Sequence, residues 1–200
     1  MSDIEASAEI LSSGKSITDF SRIDIEDSFQ TGDLRIIAEK KAKAVIEKLK
    51  NQSLTLALAE SCTAGLVSSL LANTSGASAV LWGSFVCYTQ EAKVQMLDLD
   101  NKALLTDGLV SRQTAESMAK GALGKSGADI AAAVTGLAGP AGDGRVPVGT
   151  VWVATARRGG EIEAKKYFFT SEPDNPEAGR NTIRYCAVVA VLESVLRGLT

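Results

Sequence analysis

The 200-residue sequence contains no histidine and only three cysteines. The absence of histidine excludes the Ser-His-Asp arrangement of many hydrolases outright. Cys62, Cys87 and Cys186 are widely spaced and form no C-x-x-C motif, so they indicate neither a disulfide framework nor a zinc site. A transition-metal site would need clustered cysteines and carboxylates, which the spacing does not provide. We therefore expect reduced, mostly buried thiols, no bound metal and no cofactor.

Dense basic segments and long apolar runs are also missing. The formal net charge is -3, without the Lys/Arg block that is typical of proteins binding nucleic acids or anionic membranes. No apolar run reaches the roughly 18 residues that span a bilayer. The chain begins with an acidic, polar segment, whereas a signal peptide is basic and then apolar. We expect a cytoplasmic protein that binds a small molecule, with no nucleic-acid and no membrane partner.

The composition is that of one globular domain with an N-terminal extension. Hydrophobic residues make up 45% and charged residues 22% of the chain, which is enough for one sizeable core and too little for two large domains. Residues 1–32 are rich in Ser, Asp, Glu and Ile without a sustained period. They predict a flexible or loosely docked extension, and the domain is predicted to span residues 33–200.

Helical and strand patterns alternate along the predicted domain. The first helix is predicted from Leu34, with Asp33 as its N-cap, and the last begins with Asn175 as N-cap and Pro176 at the first helical position. Between them the predicted elements are strands at 54–59, 79–88 and 128–134, helices at 64–73, 91–99 and 112–126, and a hairpin of 149–156 with 161–170. This order predicts an α/β fold, a three-layer α/β/α domain with a mixed sheet.

Three consecutive residues with hydroxyl or thiol groups, Ser61, Cys62 and Thr63, follow directly on the predicted strand 54–59. A turn at this place lies near unpaired N–H groups and the positive end of the next helix, which suits an oxygen or sulfur nucleophile. A serine or threonine in the same place also caps helices, and the segment alone favours neither interpretation. Cys62 is better explained as a small buried residue than as a nucleophile.

A serine nucleophile in this chain needs a base other than histidine. Position 64 is alanine, so the S-x-x-K motif is absent and a lysine must come from elsewhere in the fold. Lys93 follows a predicted strand, five residues after Tyr88, whose phenol could relay a proton. A lysine base must be neutral, so burial or a cationic neighbour must lower its pKa. Judged by spacing alone, a solvated lysine on a surface helix is the simpler explanation.

A glycine-rich segment covers residues 133–150, directly after a predicted strand. It matches neither of the two best-known phosphate-loop motifs. Backbone N–H groups of such a loop can approach a ligand closely, and Thr135 adds a hydroxyl. A plain flexible loop explains the segment equally well.

Two arginines, Arg180 and Arg184, share a face in the first turns of the last predicted helix. Cations at this end of a helix oppose its dipole. This placement indicates an anionic partner weakly, since a pair of surface arginines is the commoner explanation.

Together these pieces resemble the CinA C-terminal domain family over about residues 34–199. The E-S-C-T-x-G block at 60–65, the T-G-x-A-G-P block at 135–140 and the Y-x-x-x-x-K spacing at 88–93 carry the resemblance, in family order. Residues 1–32 have no recognised counterpart. Two departures stand out: Ala64 occupies a position where the family often has glycine, and D-G-R-V-P at 143–147 is a loop variant.

Stand-alone members of that family include nicotinamide-nucleotide amidases. The resemblance therefore implies hydrolysis of the carboxamide of nicotinamide mononucleotide, a pyridine nucleotide, to nicotinate mononucleotide and ammonia. Carried over by position, Ser61 is the nucleophile, with Lys93 and Tyr88 as base and proton relay, and turn N–H groups hold the oxyanion. The resemblance assigns substrate binding to Glu60, Thr63, Gly65, Thr135, Gly136, Gly139 and Arg180, the last as a phosphate contact.

Two other classes of function stay open. A binding module could hold a nucleotide in the glycine-rich loop without turnover and act through a protein partner. A role linked to nucleic acids, which the competence-related family name suggests, has poor support from the charge. The apolar stripes leave room for a dimer interface, and we expect a homo-oligomer.

Overall fold

The computed structural model describes residues 22–23, 31–170 and 175–199. The strands are β1 (Arg22–Ile23), β2 (Leu56–Glu60), β3 (Leu81–Val86), β4 (Ile130–Gly136), β5 (Thr150–Arg157) and β6 (Ile162–Phe169). The helices are α1 (Thr31–Gln52), α2 (Leu66–Ala72), α3 (Gln90–Leu97), α4 (Asn101–Asp107), α5 (Arg112–Ser126) and α6 (Pro176–Gly198), with a short 3-10 helix at Ala77–Ala79.

The described strands form one mixed sheet in the order β1-β6-β5-β4-β2-β3. Strands β4, β2 and β3 are parallel, whereas β5 is antiparallel to both of its neighbours. In the parallel part, Glu60 of β2 pairs with Val86 of β3 and Val134 of β4. The loops that follow these three strands therefore leave the sheet at the same edge, which is where ligands bind in open α/β sheets.

Helices cover both faces of the sheet because the side chains of each strand alternate between them. On one face, large residues such as Leu56 and Leu58 pack against α1, α2 and α6. On the other face, alanines such as Ala57, Ala59 and Ala131 pack against a layer that contains α5. Small side chains let that helix approach the sheet closely. The predicted three-layer α/β/α fold with a mixed sheet is confirmed.

Most predicted elements are present with shifted ends, and the last helix is as predicted. Asn175 Oδ1 accepts the N–H of Ala178 at 3.1 Å, and Pro176 is the first helical residue. The N-cap predicted at Asp33 is wrong, because α1 already begins at Thr31 and Asp33 lies in its first turn. Helix α4 was not predicted, since Leu104 is its one buried residue and a seven-residue helix with one buried position shows no apolar period.

The predicted extension, residues 1–32, lies outside the described residues except for 22–23 and 31–32. Residues 22 and 23 form β1, which pairs with the end of β6. Whether the domain is best divided at residue 33 stays a prediction.

Two features are absent from the described residues, a helix able to cross a membrane and a metal-binding cluster. None of these helices combines the length and the apolar character needed to cross a membrane. Within the same residues, no three side chains of the types that ligate metals come together in a group able to hold an ion. The expectations about partners and oligomeric state stay predictions.

Candidate active site

Ser61 is the first residue of the turn between β2 and α2. Its N–H donates to the carbonyl oxygen of Val134 on β4 at 3.0 Å, and its own carbonyl accepts the N–H of Ala64 at 3.0 Å. Only 8% of the residue is exposed. The main chain around the candidate nucleophile is thus fixed against the central strands, and the side chain has little access to solvent.

The turn changes direction through two residues in the left-handed region, Ala64 (φ 51°) and Gly65 (φ 91°). A residue with a Cβ pays roughly 1–2 kcal/mol in this region, whereas glycine adopts it freely. This explains why glycine is the expected residue at position 64. Gly65, predicted to bind substrate, has a conformational role here, because it is the residue from which α2 starts.

Lys93, on α3, reaches the turn from another part of the fold. Its Nζ donates to Ser61 Oγ at 2.9 Å and to the carbonyl oxygen of Cys87 at 2.8 Å. The residue is 1% exposed, so the interpretation as a solvated surface lysine is wrong. The structure brings the predicted nucleophile and the predicted base into direct contact.

Burial lowers the pKa of Lys93 below its ordinary value, because the ammonium form loses its hydration. Interactions with the thiols of Cys87 and Cys62 act in the opposite direction and are weaker. The contact of Lys93 with Ser61 and the lowered pKa together meet both requirements for a lysine base: reach and access to the neutral form.

The cysteines are free, buried thiols, as expected. Burial raises the pKa of Cys62 to about 12 and also raises the pKa of Cys87. A thiol is a nucleophile only as the thiolate. Cys62 therefore stays protonated near neutral pH and is a packing residue beside Ser61.

Glu60 caps the first turn of α2, so the interpretation of Ser61 or Thr63 as the cap of this helix is not needed. Its carboxylate accepts the N–H groups of Val67 at 3.1 Å and Ser68 at 3.0 Å. It also accepts the hydroxyls of Thr63 at 2.8 Å and Ser84 at 3.1 Å. Glu60 and Thr63 are 1% and 0% exposed, so both side chains lie inside the protein, and their predicted contacts with substrate stay predictions.

Tyr88 does not lie between Lys93 and Ser61, as a proton relay would. Its phenol oxygen accepts a hydrogen bond from Arg180 Nη2 at 2.7 Å, and half of the residue is exposed. The direct contact of Lys93 with Ser61 makes a relay between them unnecessary. Tyr88 instead lies beside the arginine that was predicted to contact a phosphate.

Arg180 and Arg184 connect the start of α6 to the site. Arg180 Nη1 donates to the carbonyl oxygen of Gly139, and Arg184 Nη2 donates to that of Thr63 at 2.8 Å. Within the described part of the chain, the hydrogen-bond acceptors of both guanidinium groups are uncharged. Two guanidinium groups whose described hydrogen-bond partners are all uncharged thus lie next to the Ser61 turn, and such cations favour an anionic ligand.

The glycine-rich segment contributes packing as well as a loop. A Cβ on Gly136 would lie 2.9 Å from the carbonyl oxygen of Thr150, and one on Gly139 (φ 79°) would lie 2.7 Å from Val148. Thr135 is 1% exposed and donates its hydroxyl to the carbonyl oxygen of Leu109 at 2.7 Å. Of these three residues, Gly139 contacts a candidate ligand-binding group, because its carbonyl oxygen accepts a hydrogen bond from Arg180 Nη1.

The carbonyl of Cys87, which anchors Lys93, is a group of the site that the sequence did not indicate. A main-chain acceptor leaves no signal in residue type, so no pattern could have shown it. The loop variant at 143–147 also has a defined place: both terminal nitrogens of Arg145 donate to the carbonyl oxygen of Leu105 at 3.1 Å.

Comparison with known proteins gives consistent results. The profile of the CinA C-terminal domain family matches residues 38–199. A CinA-like protein of Akkermansia muciniphila is 40% identical over 153 residues, which are 76% of this chain and 36% of that protein. A CinA-like protein of Geobacter sulfurreducens is 40% identical over 157 residues, or 78% of this chain and 36% of that protein. The chain thus spans about a third of the length of these curated relatives.

Solved structures share the fold over nearly their whole length. The competence/damage inducible protein CihA of Agrobacterium tumefaciens has a TM-score of 0.74 at 40% identity, over 82% of this chain and 95% of that one. A competence-damaged protein (CinA) superfamily protein of Escherichia coli has a TM-score of 0.74 at 29% identity, over 88% and 98%.

Proposed function

This chain belongs to the CinA C-terminal domain family, and we propose that it is an amidohydrolase with a serine–lysine dyad. The proposed substrate is nicotinamide mononucleotide, whose carboxamide is hydrolysed to give nicotinate mononucleotide and ammonia. One observation carries the proposal: Lys93 Nζ lies 2.9 Å from Ser61 Oγ, and both residues are buried.

The first half-reaction forms an ester on Ser61. Neutral Lys93 donates one N–H to the carbonyl of Cys87, which directs its lone pair towards the Ser61 hydroxyl. Lys93 takes the hydroxyl proton while Oγ bonds to the carboxamide carbon. The tetrahedral intermediate collapses, the C–N bond breaks, and the Lys93 ammonium protonates the leaving nitrogen, so that ammonia departs.

The second half-reaction releases the acid. Lys93, neutral again, takes a proton from a water molecule as the water oxygen bonds to the ester carbon. Collapse of this second intermediate breaks the bond to Ser61 Oγ, and Lys93 returns the proton to the serine. One water molecule is consumed, and Ser61 and Lys93 end as they began.

The turn that follows Ser61 offers donors for the negative oxygen of both intermediates. The N–H groups of Thr63 and Gly65 have no hydrogen-bond acceptor among the described residues. Thr63 is also 0% exposed, so this N–H lies inside the protein. A buried N–H without an acceptor is rare, and an oxyanion would satisfy it in the transition state.

The arginines support a substrate with a phosphate group. Arg180 and Arg184 have no charged partner within the described ranges, and both contact loops next to Ser61. A guanidinium binds phosphate through two parallel hydrogen bonds, which suits a mononucleotide better than free nicotinamide.

Ammonia release from nicotinamide mononucleotide tests the proposal. The parent protein, Ser61→Ala and Lys93→Ala are compared at equal concentrations of folded protein. We expect release by the parent and loss of at least about a thousandfold in both variants, as for other nucleophile–base pairs.

A folded parent that binds the nucleotide without releasing ammonia would support the binding-module alternative instead. Calorimetry with nicotinamide mononucleotide detects that outcome. Deamidation by Ser61→Ala at the parent rate would rule out the serine mechanism.

A further inference from the structure

We propose that Glu60 is a positioning residue, which holds the Ser61 turn and the anchor of Lys93 in one arrangement. The inference rests on the proposed function and assigns a role to a buried carboxylate that the mechanism does not use. Glu60 is 1% exposed and sits immediately before Ser61.

The side chain of Glu60 joins three parts of the site. Its two oxygens together accept the first-turn N–H groups of Val67 and Ser68 on α2, the hydroxyl of Thr63 in the turn, and the hydroxyl of Ser84 on β3. The four distances run from 2.8 to 3.1 Å. The turn that carries Ser61 is therefore tied to β3 and to the start of α2 by one group.

The main chain of Glu60 is connected to Lys93 through Cys87. Its carbonyl oxygen accepts the N–H of Cys87 at 2.9 Å, and the carbonyl of Cys87 accepts from Lys93 Nζ at 2.8 Å. The nucleophile follows Glu60 in the chain, and the base is two hydrogen bonds away from it. A shift of Glu60 therefore moves both Ser61 and the Cys87 carbonyl that anchors Lys93. Both movements change the distance between Ser61 Oγ and Lys93 Nζ.

The contacts require a carboxylate rather than an amide. Oε2 accepts one backbone N–H, from Val67, and one hydroxyl, from Thr63. Oε1 likewise accepts one backbone N–H, from Ser68, and one hydroxyl, from Ser84. A hydroxyl can reverse its hydrogen bond, but a backbone N–H cannot. Whichever way a glutamine is oriented, its NH₂ group therefore faces a backbone N–H.

Glu60→Gln tests the role, with Ser84→Ala as the matched control. The control removes one hydroxyl from the same network and leaves both backbone contacts in place. We expect Glu60→Gln to lose roughly 10- to 100-fold in kcat for nicotinamide mononucleotide, with KM within about threefold, since a small displacement of reacting groups has effects of this size. Ser84→Ala should stay within about threefold of the parent in both constants.

A second readout separates positioning from loss of folded protein. A fluorophosphonate probe that reacts with activated serines is titrated against each protein. We expect one labelled Ser61 per chain in Glu60→Gln, at a rate lowered as far as kcat. A merely destabilised variant would instead label a smaller fraction at the parent rate, and that result would overturn the inference.

Glu60→Asp tests the positioning role if Glu60→Gln does not fold. It keeps the charge but shortens the side chain by one methylene, so a fall in kcat and labelling rate at parental KM supports the inference. Parental rates in the folded Glu60 variants overturn it.

Failure of the proposed function gives a different pattern. A parent that labels but does not deamidate refutes the substrate alone, and the labelling rates still decide the role of Glu60. A parent that neither labels nor deamidates refutes both.

Discussion

Lys93 Nζ and Ser61 Oγ lie 2.9 Å apart inside the protein, although 32 positions separate the two residues in the chain. The contact forms because Ser61 follows β2, Lys93 follows the adjacent strand β3, and parallel strands end at the same edge of the sheet. In the proposed mechanism, this buried lysine takes the place of the histidine base of many hydrolases.

The rate of amide hydrolysis should rise with pH. Burial lowers the pKa of Lys93, and the lysine is a base only above that pKa. The ascending limb of kcat/KM should therefore have its midpoint below the ordinary lysine value of about 10.4. Initial rates between pH 6 and 10 measure it.

Lys93→Arg is the control for charge at this position. A guanidinium contributes hydrogen bonds but does not lose its proton in proteins. We expect no measurable hydrolysis by this variant at any pH in that range. Activity of Lys93→Arg with a normal pH profile would assign the base to another group.

Arg180→Met should weaken binding of the phosphate and leave the chemistry intact. The loss of a charge-assisted contact corresponds to a rise in KM of roughly 10- to 100-fold for nicotinamide mononucleotide. Nicotinamide riboside, which has no phosphate, should show the same kinetics with parent and variant. Steady-state kinetics with both substrates provides the comparison, and an equal rise in KM for both would place the phosphate elsewhere.

Replacing glycine by alanine should lower the free energy of unfolding by different amounts at two positions in the loop before β5. Gly144 and Gly149 both have positive φ, but a Cβ on Gly144 meets nothing within 4 Å, whereas one on Gly149 would lie 1.9 Å from the carbonyl oxygen of Phe169. We expect Gly144→Ala to lower the free energy of unfolding by about 1–2 kcal/mol. Gly149→Ala should lower it by at least about 2 kcal/mol more, because the β6 end must move.

Chemical denaturation of the two glycine variants measures the difference. A similar loss in both would show that the loop before β5 yields without disturbing the sheet.

Sequence patterns were sufficient to predict the layers of the fold and the place of Ser61. The apolar runs of β2 and β4 and the N-cap of α6 depend on neighbours in the chain, and such features are visible in a sequence. Lys93 was assigned as the base through the family resemblance, since its spacing alone indicated a surface residue. Its burial depends on how α3 packs, which no local pattern encodes.

The contacts of Glu60 and Tyr88 could not be predicted from sequence patterns. Both residues stand in motifs of the family, and both were assigned contacts with substrate or protons. In the structure, the Glu60 carboxylate accepts two N–H groups of α2, and the Tyr88 phenol accepts a hydrogen bond from Arg180. Residue type and position identify a site, but the direction of each side chain is determined by tertiary packing.

Hydroxylamine trapping during turnover tests the serine mechanism most directly. The account predicts that the parent, given nicotinamide mononucleotide and hydroxylamine, forms the hydroxamate of nicotinate mononucleotide from an ester on Ser61, with one ammonia released per product. Ser61→Ala should form neither the hydroxamate nor ammonia. Ammonia release by folded Ser61→Ala at the parent rate, or a parent that is inert to the nucleotide, would contradict it.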